Sequence, residues 1–482
     1  MDRPLQSRAP RRRGLRPTLH RRHPAMPMSI KPPGLRQPAA ALLPQPAVES
    51  GPDSPAGWRS ESGSSPTSLK LRGAELPQSM PPHAGSTPSI FDVRRSIFPV
   101  LPLITLLLAA CDKPQPAGTT PPPAAKAPPA LTDWPVTRGG PQLQGRVAAA
   151  LFPAPAIEWT HDLGAPCVAE AAVAEGAIVV GDVMGNIHCI DLATRKPCWT
   201  HETGDTIQAA PAISNGRVFV GSGDESFLAL DLKTGDKIWS VQGGEKFSSA
   251  ASIVTAPGGS AEWVLVNGYD GITRCLLARD GSEVWTYKTD DYINGTPAVI
   301  DGRLVAFGGC DKVIHVINLA DGKLVNEVVT DAQITNSVAT SGTTIYCGNH
   351  ANQVIATEAE AESLKWIYQP GDFPFFTAPA VDDAHVYIGS RDKSLHAIQR
   401  SDGKPAWTFK TGGRVESSPL AFDDAIVFGS SDGRLYAANP ADGTELWRLD
   451  LGEDLTASPV YARGRLIIGG GKGTLFVIAP SK

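Results

Sequence analysis

The chain contains seven cysteines, and no two of them are adjacent. None forms a Cys-x-x-Cys pair or a cysteine–histidine spacing suited to a metal. This argues against zinc-ribbon and dithiol-redox chemistry. Long apolar runs are also missing. The greasiest stretch, residues 97–110, is too short for a comfortable transmembrane helix. No nucleophile–base–acid arrangement is visible. Gly469-Gly470-Gly471-Lys472-Gly473 lacks the Walker spacing and reads as a strand turn. No catalytic, cofactor-binding or metal-binding residues are therefore expected, and no cofactor.

Charge excludes another class. The formal net charge of −5 hides a basic leader, with Arg11-Arg12-Arg13 and Arg21-Arg22. Beyond residue 110 the balance is roughly −14 by counting Lys, Arg, Asp and Glu. Such a surface does not favour non-specific nucleic-acid binding.

What the chain has in abundance is repetition. A cassette recurs eight times, most fully as Gly429-Ser-Ser-Asp-Gly-Arg-Leu-Tyr-Ala followed by Asp442-Gly-Thr-Glu-Leu-Trp447. The other copies centre on Gly181, Gly221, Gly268, Gly308, Gly348, Gly389 and Gly469. A period near 40 residues lies in the range of propeller blades. Residues 207–239 show how one copy becomes a blade. Four short apolar strands alternate with glycine and Asp/Asn turns, the pattern of an antiparallel sheet. The spacing predicts an all-β fold: an eight-bladed β-propeller of four-stranded antiparallel blades. Its last copy ends without a tryptophan strand, and Trp159 precedes the first complete inner strand. The N-terminal strand is therefore expected to close the ring.

Most of the eye-catching residues read as structure. Trp159, Trp199, Trp239, Trp285, Trp366, Trp407 and Trp447 keep the repeat's beat and are expected to dock neighbouring blades; the eighth slot holds Asn326. Asp191, Asp231, Asn318 and Asn439 sit where a side-chain oxygen bonds turn amides. His188, His315 and His396 share one repeat position in different blades, an arrangement unsuited to holding one metal.

Upstream of the repeats the chain divides again. Residues 1–93 form a basic Pro/Arg-rich leader with no hydrophobic period, expected to be disordered. A start placed too far upstream, with Met80 as the true first residue, accounts for it more simply. Arg94-Arg95, the apolar stretch ending at residue 110, and Leu108-Ala109-Ala110-Cys111 follow, the layout of a secretory signal. The last four residues resemble the lipobox of bacterial lipoproteins. That resemblance implies cleavage before Cys111 and acylation of it, and several acyl chains hold a protein stably on a membrane. Residues 111–130 make a Pro/Ala-rich tether able to reach roughly 50–60 Å. Residues 131–156 lead into the propeller at 157–482. The six remaining cysteines can form disulfides in an oxidising periplasm, and Cys189 and Cys198 flank one hairpin.

The repeat Gly-x-x-Asp-Gly-x-Leu-x-Ala-x-Asp…Thr-Gly-x-x-x-Trp resembles that of the pyrroloquinoline-quinone-like (PQQ-like) propellers. No Trp-Asp dipeptide occurs, which sets the chain apart from WD40 repeats. Asp133-Trp134-Pro135…Arg138-Gly139-Gly140 is similar to a lead-in of the same group. With a lipobox and eight blades, the architecture resembles the BamB family of outer-membrane assembly lipoproteins. The resemblance implies a non-enzymatic, lipid-anchored interaction scaffold on the periplasmic face of a bacterial membrane. Its partners would be envelope proteins, such as an outer-membrane assembly complex, around a monomeric propeller. Asp112 leans towards the inner membrane and the BamB resemblance towards the outer. Two alternatives are a PQQ-dependent quinoprotein dehydrogenase and a carbohydrate- or peptide-binding envelope propeller. The dehydrogenases resemble one another in a vicinal cysteine pair and a calcium site, and this chain has no vicinal pair.

One loop departs from the repeat. In Gly371-Asp-Phe373-Pro-Phe375-Phe376, Phe375 aligns with core residues such as Ile207 and Phe247. Phe376 aligns with Gln208, Ser248, Asn294, Thr335, Glu416 and Thr456. Phe373 falls where other copies carry Asp205, Glu245 or Asp291. Two aromatics at polar slots, with Arg391 and Arg414 nearby, are the candidate protein-binding patch.

Overall fold

A computed structural model describes residues 132–482. The leader, the signal segment, Cys111 and the tether lie outside the described residues. Among the described residues thirty-two strands assort into eight four-stranded sheets, and this is an eight-bladed β-propeller. Seven blades are continuous in sequence. The eighth combines strands Val460–Ala462, Arg465–Gly469 and Thr474–Pro480 with Pro155–Asp162 from the start of the domain. In that sheet Ile157 pairs with Ile478 and Trp159 with Val477, antiparallel.

Local chemistry explains the blade. In the second, Ala212–Ser214 and Arg217–Gly221 are joined by Asn215 and Gly216, whose φ values of 50° and 70° are those of a type I′ hairpin turn. At the turn leaving Ser226–Asp231, the Asp231 carboxylate accepts the Lys233 and Thr234 amides at 2.9 and 3.0 Å. Gly235 completes it at φ 75°, and a Cβ there would fall 2.6 Å from the Trp199 ring. The glycine thus serves both the turn and the tryptophan of the preceding blade.

A bulge aims each tryptophan. Ala229 pairs with Trp239 and Leu230 with Lys237, which leaves Ile238 as an extra residue facing solvent. The same shift recurs before Trp199, Trp285, Trp366, Trp407 and Trp447, and after Ile157 ahead of Trp159. A bulge bends the strand and re-aims the next side chain. Five indoles then donate to a carbonyl of the following blade: Trp199 to Leu232, Trp239 to Ala278, Trp285 to Leu319, Trp366 to Arg400 and Trp407 to Pro440, at 2.8–3.1 Å.

The seven tryptophans differ in their hydrogen bonding. Trp447 Nε1 is buried without a partner. The blade it faces has no turn after its third strand, because its fourth strand arrives from the N-terminal side. Trp159 faces the turn in which Arg195, at φ 63°, fills the glycine slot.

The lead-in does more than enter the ring. Trp134 exchanges two backbone hydrogen bonds with Val173. Carbonyls of Pro135, Pro141, Gln142, Gln144 and Gly145 accept amides of Ile213, Val299, Thr340, Val381 and Ala421 at 2.7–2.9 Å. Thr132 accepts Arg463. Fourteen consecutive residues thereby touch the inner strands of six blades and the turn after the inner strand of a seventh, laid across one end of the central channel. Each inner-strand amide so bonded would otherwise face the channel unpaired.

Candidate functional site

The other end of the channel is open. Each inner strand is preceded by a short loop, and the repeat brings one residue of each loop to a ring at the mouth. Gln208, Ser248, Asn294, Thr335, Glu416 and Thr456 line a cavity of about 400 Å³, with Val168 beside them. Phe376 takes the eighth equivalent position. Two residues further along, hydroxyls tie neighbouring blades together: Ser337 accepts the Thr296 amide, Ser418 that of Ala378 and Ser458 that of Ser418, at 2.9–3.0 Å. At this depth the first blade carries Glu170.

Glu170 and the lead-in form the floor. The carboxylate accepts the Trp134 indole at 2.7 Å, the Thr137 hydroxyl at 2.8 Å and the Arg138 amide at 2.9 Å. Burial pushes this carboxyl above its ordinary value, against the pull of the Arg138 guanidinium and the three donors. Arg138 is 2% exposed, and burial lowers its pKa to about 10. Its Nη2 reaches the carbonyls of Pro419 at 2.5 Å and Pro379 at 3.3 Å. Nε and Nη1 have no partner. An orphaned buried guanidinium donor is costly, on the order of 1–3 kcal/mol.

The candidate patch is assembled at the rim. The Arg391 guanidinium lies over the Phe376 ring, 4.2 Å from its centroid, and His350 meets the ring edge-on at 4.8 Å. Glu416 gathers the two arginines, Arg391 at 2.6 Å and Arg414 at 3.7 Å. Phe373 is 53% exposed, whereas Phe375 is core. The structure thus brings Phe376, Arg391 and Arg414 together through Glu416. Phe373 stands on the same loop without a ring partner. A second aromatic group sits elsewhere on the mouth: Tyr269 stacks on Tyr292 at 4.3 Å, and the Lys246 ammonium lies 4.7 Å from the Tyr269 centroid.

The histidines are structural. His188, His315 and His396 each bond the aspartate of their own blade turn, Asp182, Asp311 and Asp392, at 2.8–3.0 Å. The six described cysteines are free thiols. Cys198 is the exposed bulge residue beside buried Cys189, whose thiol is pushed up by burial and then by Cys198. Among the described residues no group of three or more His, Cys, Asp or Glu side chains could hold a metal ion. No two cysteines of the chain are adjacent.

Sequence reading missed Glu170, Tyr292 and the closure of the floor. Glu170 was detectable by the comparison that singled out Phe376, since other copies carry Ala, Thr or Ser at its slot. The Arg138–Glu170 pairing was not, because it joins a non-repeating segment to a repeat.

A family model described as the beta-propeller of the beta-alanine-activating enzyme matches residues 214–482. The chain belongs to this propeller family. No curated protein matches it. Among solved structures, this propeller is similar to BamB from Moraxella catarrhalis at 16% identity and TM-score 0.56, over 68% of this chain and 100% of that one. It is also similar to the quinohemoprotein alcohol dehydrogenase of Comamonas testosteroni at 14% identity and TM-score 0.61, over 73% and 82%. A europium-containing methanol dehydrogenase gives 12% and 0.61, over 73% and 98%. At these identities the likenesses show the fold alone, a β-propeller.

Proposed function

We propose that the protein is a non-enzymatic scaffold of the bacterial envelope, anchored through acylated Cys111 and acting in outer-membrane β-barrel assembly as the BamB resemblance implies. The observation that carries this reading is the Phe376–Arg391 stack beside exposed Phe373 on the open face of the ring. Aromatic and arginine side chains dominate the energy of protein interfaces. Phe376 is an aromatic at one of eight equivalent positions that are otherwise mostly polar. The lipobox and the Pro/Ala tether would hold this face within reach of membrane-bound partners.

The quinoprotein alternative gains nothing from the donor set described above. Affinity capture of the full, lipidated chain from detergent-solubilised envelopes, followed by mass spectrometry, separates the two. Recovery of an outer-membrane assembly barrel supports the scaffold. Saturable binding of pyrroloquinoline quinone with calcium, with dye reduction by alcohols or sugars, refutes it.

A further inference from the structure

The channel cavity is built like a binding site in its own right. Its mouth carries the amides and hydroxyls of Gln208, Ser248, Asn294, Thr335 and Thr456 with Glu416 and Lys246 among them, and it ends on a floor of charged groups. Four observations bear on what fits it. Arg138, nearly inaccessible, keeps Nε and Nη1 unpartnered at the floor. Glu170, whose oxygens are engaged by Trp134, Thr137 and the Arg138 backbone amide, is within electrostatic reach of that guanidinium, so an acidic group already stands at the floor. An uncharged oxygen acceptor suits such a floor better than an anion, which would leave net charge buried. At the mouth, Tyr269 lines the cavity with Asn294 and Lys246, and Tyr292, 45% exposed, stacks on Tyr269 just outside that lining. The Gln208 amide makes no hydrogen bond within the described residues and lines the same cavity.

We infer that this cavity binds a short neutral saccharide. Sugar hydroxyls both donate and accept, which matches a ring of Gln, Asn, Ser and Thr side chains that do the same. The C–H faces of a pyranose ring pack on aromatic faces, and Tyr292 offers one at the rim. The volume suits one or two sugar rings, within the usual range of small-molecule sites. Each sugar hydroxyl placed in the ring replaces a bond to water, so specificity comes from matched geometry and affinity stays modest.

This inference stands apart from the scaffold role, and the two fail separately. Saturation-transfer NMR on the detergent-solubilised full chain, with cellotriose, maltotriose and chitotriose as probes, tests it. At least one probe should bind with millimolar or tighter affinity. Tyr292→Ala should weaken that binding about tenfold, the scale of one aromatic contact. Gln208→Ala should weaken it with an unchanged melting temperature. Both residues are exposed, so neither variant endangers the fold. Absence of transfer from all three probes overturns the inference, as does binding indifferent to both variants. Binding of citrate or phosphate in place of the sugars assigns the site to anions and overturns it too.

Discussion

Asn326 donates its side-chain amide to the Ala359 carbonyl of the next blade at 3.1 Å, the bond that an indole makes in five other blades. A second bond reaches Ala361. The turn it meets carries Glu362 where Gly235 stands opposite Trp199. The tryptophan and the glycine are absent together here; at the five glycines that face an indole donor a Cβ would fall 2.6–2.8 Å from the ring, and only Trp159 stands opposite a side chain, Arg195. Asn326→Ala should cost about 1–2 kcal/mol by orphaning the carbonyls. Asn326→Trp should destabilise alone and recover when combined with Glu362→Gly. Denaturant unfolding of the four variants reads the coupling, and strictly additive effects would contradict the pairing.

The rim patch predicts a separation of binding from stability. Phe373→Ala with Phe376→Ala should weaken partner capture by about 2 kcal/mol or more, the scale of an interface anchor. Because Phe376 is half-buried against Arg391 and His350, a small drop in melting temperature is expected as well. Intact folding with unchanged partner retention would leave the patch without a role.

Membrane attachment should depend on one thiol. Cys111→Ala is expected to release the protein into the soluble fraction and abolish labelling by a clickable fatty acid. Wild-type protein that stays on membranes without taking up label would sink the lipoprotein reading.

Truncation through Thr160 should do more than shorten the chain. It removes Trp159, the Glu158–Arg465 ion pair at 2.6 Å and the lead-in, and leaves Thr474–Pro480 as an open edge. Open edges template association. The truncated protein should melt lower and oligomerise in light scattering. A monomer with the wild-type melting temperature would show that ring closure contributes nothing.

Acid sensitivity should follow the turn aspartates. Burial pushes Asp182 up, but hydrogen bonds from His188 and from Asn186 and Met184 outweigh it and hold the carboxyl below its ordinary 3.8. Asp270 and Asp392 behave alike, through Arg274 and His396 respectively. A folded pKa below the unfolded one gives stability that is present above the unfolded value and lost as pH falls through the folded one. Melting temperature should stay level down to about pH 5 and drop below about pH 4. Asp182→Asn should melt lower at neutral pH and show a shallower acid decline; an unaltered decline would remove Asp182 from the account.

Gly235, Asp231 and Trp199 were legible in the sequence because each acts within about forty residues and recurs with the repeat. Blade count, turn chemistry and the outlying Phe376 follow from that periodicity, since local turns and alternating strands obey local rules. The partners of those residues were decided by the ring. Glu416 reaches Arg391, and His350 the Phe376 ring, only because neighbouring blades converge at the channel. Arg138 meets Glu170 only because a non-repeating segment crosses its far end. Closure in space sets such contacts, and no period along the chain encodes them.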